Sequence, residues 1–320
     1  MHRWSDLSKT PDSLRPSVVT LGNFDGVHRG HQAVIEQLLR VGAQLGLPTV
    51  AVTFDPHPVA VVRPAEAPQI LTPDALRTDL LAATGIDGLL VLDFTEEFAA
   101  QSPEDFVRDT FVRALGARAV VVGIDTRFGY RNSGDVRTLR DLGDRFGFEV
   151  YALDDLGGES RWSSSAARRH LVAGEVEAAA AILGRPHRVV GVVVHGHHRG
   201  RAMGYPTANL SPESLGLVPA EGVYAGWLTR LDLPAEAVDR TMPCAISIGT
   251  NPTFDTNDRR TVEAYVLDRD DLDLYDERVM VEFVRHIRPT LKFDSIDALL
   301  TAMARDVEEC RAVLAQIVPV

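Results

Sequence analysis

In the first half of the chain, apolar residues fall in short continuous runs, and the stretches between the runs have helical spacing. Residues 18–21, 49–54, 88–93, 119–123 and 149–153 are apolar or β-branched at almost every position and read as strands. Residues 73–84, 103–115 and 136–146 carry apolar positions three and four apart and read as helices, as does the segment through Ala33, Ile35, Leu38 and Leu39. Wholly apolar strands spaced by helices predict a parallel sheet covered on both faces, with ligands beyond the carboxyl ends of its strands. After Arg185 the texture changes. Runs at 188–194, 222–229, 242–248, 261–267 and 279–284, separated by turn residues, predict a small antiparallel β-barrel, and one amphipathic helix over 295–317 closes the chain. The expected class is α/β followed by mainly β, divided into domains 1–185 and 186–320.

Composition narrows the function more than the fold. A chain of 320 residues, 45% hydrophobic and 24% charged, is that of an ordinary globular protein with room for two domains. A formal net charge of −12 argues against sequence-independent nucleic-acid binding and against docking on an anionic membrane. Small anionic ligands are still compatible, since local arginines and N–H groups can oppose the global charge. The opening MHRWSDLSKTPD has no apolar core of a signal peptide, and no run approaches membrane-spanning length, so a cytoplasmic location is expected. Cys244 and Cys310 are isolated and fit neither a zinc pattern nor a disulfide framework.

Candidate chemistry gathers at the predicted strand ends. The stretch VVTLGNFDGVHRGHQ (18–32) runs from a strand through Gly22, Gly26 and Gly30 into a helix, a junction whose N–H groups and dipole favour phosphate. It is neither a dinucleotide fingerprint nor a P-loop. His28 and His31, three apart at the helix mouth, stand where the P-loop has its lysine, and imidazoles can donate to phosphate oxygens. Asp55-Pro-His-Pro58 follows the second strand, and its prolines predict an extended loop presenting His57. Residues 123–135 follow the strand at 119–123 and carry Arg127 and Arg131, and Ser163-Ser-Ser-Ala-Ala-Arg168 opens a further helix with serine caps and an arginine one turn in.

In the second half, GHHRGRAMGYPTAN (196–209) combines glycines with Arg199 and Arg201. Thr207 and Asn209 supply hard oxygen ligands on one side of an extended chain, suited to Mg²⁺. His195, His197 and His198 lack the cysteine or carboxylate partner a zinc site needs. In the strand at 261–267, Val262, Ala264 and Val266 face one side and Glu263 and Tyr265 the other.

The glycine–histidine stretch resembles the signature of the nucleotidylyltransferase superfamily. The ordered set TLGNFDGVHRGH, TFDPHP, GIDTRFG…GD and SSSAAR, with Ile182-Leu-Gly-Arg185-Pro after it, resembles bacterial bifunctional riboflavin kinase/FAD synthetases. The PTAN stretch, Pro219–Gly226, Ser247–Phe254, Val262-Glu263, Leu274-Tyr275 and Arg288…Lys292-Phe293 are similar to the riboflavin kinase module, so the match runs from residue 18 to the final helix. Thr126 stands where the family usually has an aromatic, Ser165 and Ala167 where it has threonine and a branched residue, and Tyr205 where it has phenylalanine.

The resemblance implies a Rossmann-like nucleotidylyltransferase sheet followed by a β-barrel kinase domain with a C-terminal helix. It implies that riboflavin is phosphorylated with Mg-ATP and that the FMN formed is adenylylated with ATP to FAD and pyrophosphate. The catalytic residues it implies are His28, His31 and Glu263, the last as base toward a ribityl hydroxyl. It implies ATP contacts at Gly22, Asn23, Phe24, Asp25, His57, Ser164, Ser165 and Arg168, and FMN contacts at Asp125, Arg127 and Phe128. For the kinase it implies ATP at Gly196, Arg201, Thr207 and Asn209, Mg²⁺ at Thr207 and Asn209, and flavin at Arg288 and Phe293. The expected partners are riboflavin, FMN, FAD and ATP. One rival keeps only the kinase active, its single support being Thr126; another is a flavin-binding protein without turnover, which the presence of His28, His31, Thr207, Asn209 and Glu263 disfavours. A nucleic-acid-binding rival lacks an aromatic-basic surface pattern.

Overall fold

The structure, a computed structural model, describes residues 1–154, 162–195, 204–212, 216–250 and 260–319. By their contacts the described residues divide into two compact units, Met1–Ile70 with Asp74–Ser163, and Leu71–Pro73 with Ser164 onward.

In the first unit the elements are β1 (His2–Trp4), β2 (Val18–Leu21), α1 (Arg29–Leu45), β3 (Thr49–Asp55), α2 (Pro58–Val62), α3 (Asp74–Ala82), β4 (Gly88–Asp93), α4 (Glu96–Ala99), α5 (Pro103–Phe106, continued as a wider π-type turn over Val107–Ala114), β5 (Ala119–Gly123), α6 (Val136–Phe146) and β6 (Glu149–Leu153). The six strands form one parallel sheet in the order β1-β4-β3-β2-β5-β6. Along β2, Val18 packs with Ile35, Leu38 and Val41 of α1 on one face, while Val19 and Leu21 pack with Phe106, Phe111 and Val120 on the other. Both parities of the strand are therefore apolar, as a doubly covered sheet requires. Successive strands run outward from β2 in both directions, so the order reverses between β2 and β5, and the loops leaving those two strands flank the switch point.

In the second unit α7 (Ser164–Val172) and α8 (Val176–Leu183) precede β7 (His187–Val194), β8 (Ala208–Leu210), β9 (Gly222–Arg230), β10 (Thr241–Thr250), β11 (Arg260–Val266), β12 (Arg278–Arg288) and α9 (Ile296–Leu314). Six antiparallel strands among the described residues close a barrel in the order β10-β11-β8-β7-β12-β9. Its inside is filled by Tyr224, Ile246, Ile248, Val262, Ala264, Val281 and Phe283. Helix α9 lays Cys310, Val313 and Leu314 over Ala225 and Trp227, which explains why β9 is buried on both faces. Two differences from the sequence reading concern short elements. The non-helical stretch through His57 (φ −58°, ψ 130°) is short, because Pro58 already occupies the first turn of α2 and His57 caps it. Helices α7 and α8 group with the barrel by contact, although the change from helical to strand texture comes at residues 185–188.

Candidate active sites

The first site is built on the turn between β2 and α1. Phe24 (φ 50°) and Val27 (φ 39°) both adopt left-handed backbone while fully buried, a conformation costly for bulky and β-branched residues that persists only where the surroundings enforce it. Two buried donors enforce it here: the Thr53 hydroxyl and the Arg77 guanidinium both donate to the Asn23 carbonyl, at 3.2 and 3.3 Å. His28 caps α1, its Nδ1 accepting the His31 N–H at 3.3 Å. The two imidazoles stack with ring centroids 3.7 Å apart, and Phe24 meets His31 edge-on at 5.2 Å. Burial first, and the neighbouring His28 second, hold the His31 imidazole well below its ordinary pKa. Its Nδ1 is buried without a hydrogen-bond partner among the described residues. Gly30 fits this packing closely: a Cβ there would lie 3.0 Å from the His28 ring and 3.3 Å from the Trp162 carbonyl, so the ring would have to shift to admit it. On β3's far end, His57 lies half-buried with Nδ1 accepting the Val59 N–H at 3.2 Å and Nε2 3.4 Å from Asn23 Nδ2.

The loop after β5 leaves Asp125 and Arg127 exposed, with Arg127 3.9 Å from Asp135, which caps α6. Phe128 turns the other way: its ring packs against Phe106 in the core and its backbone pairs with Gly134. Ser164 and Ser165 begin α7, with Arg168 one turn on, in the second unit.

The second site is a cavity of about 480 Å³ against the outer wall of the barrel. Thr207, Asn209 and Glu263 line it on one side, and Arg288, Phe293 and the α9 residues Met303, Asp306 and Val307 on the other. Asn209 Nδ2 donates to the Thr207 hydroxyl at 3.3 Å, and that hydroxyl donates to Glu263 Oε2 at 3.4 Å. Strand register sets Ser247, Glu263 and Asn209 side by side across β10, β11 and β8. The reading of β11 holds: Val262, Ala264 and Val266 are buried in the barrel, while Glu263 and Tyr265 face the cavity. Arg288 is fixed by a bidentate pair with Asp306 (2.8 and 2.7 Å) and lies over the Phe293 ring at 5.6 Å. Thr207, Asn209 and Glu263 give three oxygens of the hard type that suits Mg²⁺. Gly196, Arg201, His197 and His198 lie outside the described residues; the His195 ring lies tilted against that of Tyr275, with centroids 3.9 Å apart. Among the described residues no group of three His, Cys, Asp or Glu side chains is arranged to hold a metal.

Two residues and one neighbour relation escaped the sequence reading. Arg77 sits in an ordinary helical pattern, Asp306 in the final amphipathic helix, and Ser247 becomes a neighbour of Glu263 only through strand register.

A switch-point sheet with a histidine-capped turn at a helix N-terminus, followed by a barrel whose wall carries a carboxylate beside hydroxyl and amide oxygens, has the features of a nucleotidyl- and phosphoryl-transfer protein. A family model described as FAD synthetase matches residues 10–167, and one described as riboflavin kinase matches residues 183–314. The bifunctional riboflavin kinase/FMN adenylyltransferase of Listeria monocytogenes is 35% identical over 316 residues, covering 98% of this chain and 95% of its own length. The protein of the same description from Pseudomonas fluorescens is 36% identical over 308 residues, covering 95% and 96%. A crystal structure described as a macrolide-efflux protein from Streptococcus pneumoniae superposes with a TM-score of 0.84 at 31% identity, over 97% of this chain and 98% of that one. The chain belongs to the bifunctional riboflavin kinase/FMN adenylyltransferase family. No helix among the described residues is long and apolar enough to cross a membrane.

Proposed function

We propose that the two sites divide the family's two reactions, the barrel cavity phosphorylating riboflavin and the β2–α1 turn adenylylating the product. In the cavity, Glu263 takes the proton from the terminal ribityl hydroxyl as its oxygen attacks the γ-phosphorus of ATP, and ADP leaves. Thr207 and Asn209 would hold Mg²⁺ brought with ATP, which neutralises phosphate charge. Gly196 and Arg201 join them in binding the nucleotide, and Arg288 and Phe293 bind the flavin. The observation carrying this assignment is the Asn209–Thr207–Glu263 chain of hydrogen bonds on the cavity wall, which aims a carboxylate and hard oxygens into one space.

At the β2–α1 turn, a phosphate oxygen of FMN attacks the α-phosphorus of a second ATP, and pyrophosphate leaves. Because His28 Nδ1 accepts a backbone N–H, the neutral ring carries its hydrogen on Nε2, and an N–H there is a donor of the kind a phosphate oxygen accepts. The buried, unpartnered Nδ1 of the neutral His31 is a group that a bound phosphate would satisfy. Gly22, Asn23, Phe24, Asp25, His57, Ser164, Ser165 and Arg168 contribute to ATP binding. Asp125 and Arg127 contact FMN, and Phe128 anchors the loop that carries them. We assign residues 1–185 to the adenylyltransferase and 186–320 to the kinase, working in the cytoplasm. The assignment is tested with Glu263→Gln. We expect riboflavin phosphorylation to be lost and FAD formation from supplied FMN to persist; retained phosphorylation would remove Glu263 from the mechanism.

A further inference from the structure

We infer that Arg77 is a positioning residue for adenylyl transfer, holding the phosphate turn from beneath; the inference rests on the assignment of that turn to ATP. Only 7% of the Arg77 side chain is exposed, an unusual state for a guanidinium, which is normally mostly solvated. Its two terminal nitrogens are committed to different partners. Nη1 donates to the Asn23 carbonyl at 3.3 Å, and Nη2 to Asp74 Oδ1 at 3.1 Å. The other Asp74 oxygen is held by Arg3 of the edge strand β1 at 2.7 Å, so the carboxylate is fixed from both sides.

The carbonyl that Arg77 grips belongs to the peptide joining Asn23 to Phe24. Its plane sets ψ of Asn23 and φ of Phe24, and the latter is the left-handed 50° on which the turn depends. With the Thr53 hydroxyl as second donor, that oxygen is held at two points, the arrangement a strained turn needs in order to persist. What hangs on the same peptide is functional: the Asn23 side chain, whose Nδ2 lies 3.4 Å from His57 Nε2, and Phe24, whose ring meets His31. Arg77 therefore acts on the nucleotide through Asn23 and Phe24, without itself touching it.

The test is kinetic and uses the full chain; circular dichroism and thermal melting of each variant report that the sheet unit is folded, and riboflavin phosphorylation reports the same of the barrel. Arg77→Met removes both donated bonds. We expect kcat/KM for ATP in FAD formation to fall about tenfold or more, a misplaced reacting group being able to cost about a hundredfold, with riboflavin phosphorylation within about twofold of the parent. Arg77→Lys, which keeps the charge and one of the two bonds, is expected to recover a part of that loss; it also serves if the methionine variant fails to fold. In the double variant with Asn23→Ala, the loss is expected to be little more than that of Asn23→Ala alone, because Arg77 works through that residue. Multiplying losses would mean that Arg77 supports the fold in general, and FAD formation unchanged in Arg77→Met, or in Arg77→Lys should the methionine variant fail to fold, would overturn the inference. A parent chain that forms no FAD would instead overturn the assignment of the turn.

Discussion

The stacked histidine pair behaves as a unit because its two rings share a helix start. His28 spends one nitrogen on capping α1, and the close ring above it, together with burial, keeps His31 neutral. The sign of the resulting pH dependence follows. In the unfolded chain His31 has an ordinary pKa of about 6.5 and takes up a proton below it; in the folded chain it does not. The unfolded state then binds more protons, so this residue makes stability fall as pH drops through about 6.5 toward the lower folded value. Thermal midpoints at pH about 7.5 and about 5.5, bracketing the ordinary histidine range, should therefore fall more for the parent than for His31→Gln. Equal falls would contradict the buried neutral imidazole. Gly30→Ala tests the same packing sterically: its Cβ meets the His28 ring at 3.0 Å, so FAD formation from FMN should drop while riboflavin phosphorylation continues. A normal rate of FAD formation would show that the pair tolerates displacement. The histidines, the glycines and the PTAN stretch were legible because their chemistry is local in sequence. Arg77, Asp306 and the place of Ser247 beside Glu263 were not, since each depends on a partner 54, 18 or 16 residues away that only folding supplies. The family's contact at Phe128 was legible as a motif, but not that its ring turns into the core.

At the scale of elements, the parallel strands were read almost to the residue because burial on both faces writes a continuous apolar run, and 88–93, 119–123 and 149–153 coincide with β4, β5 and β6. The two three-residue strands were invisible for the opposite reason. β1 (HRW) and β8 (ANL) have no apolar run of their own and exist through pairing, His2 with Gly88 and Asn209 with Glu263. The barrel imposes its own sequence requirement at Gly226. A Cβ there would overlap the Glu282 carbonyl oxygen of β12 and the Ile246 side chain, because β9 and β12 approach too closely for any side chain. Gly226→Ala should destabilise the barrel by about 1–3 kcal/mol, the usual range for overpacking. Calorimetry would show this as a lowered midpoint of the kinase transition, and an unmoved midpoint would mean that the strands can separate to make room. The buried Glu282 is paired with Arg188 at 2.8 Å, so the residue whose carbonyl faces Gly226 also carries an ion pair.

At the scale of the whole molecule, a net charge of −12 is compatible with ATP as a co-substrate, because a helix N-terminus and the imidazoles beside it can oppose the global charge locally. The change of texture near residue 185 announced two modules, and the family models divide the chain in the same sense, at 10–167 and 183–314. What the texture could not announce is that α7 and α8, helical in pattern, pack with the barrel. The central claim is that one chain carries both transfers in separate sites. It is tested most directly by incubating the purified protein with Mg-ATP and riboflavin and resolving the flavins over time, for the parent and for the His28→Ala, His31→Ala double variant. The account predicts FMN and then FAD from the parent, and FMN alone, accumulating at the parental rate, from the double variant. FAD formed at the parental rate by the double variant would contradict it.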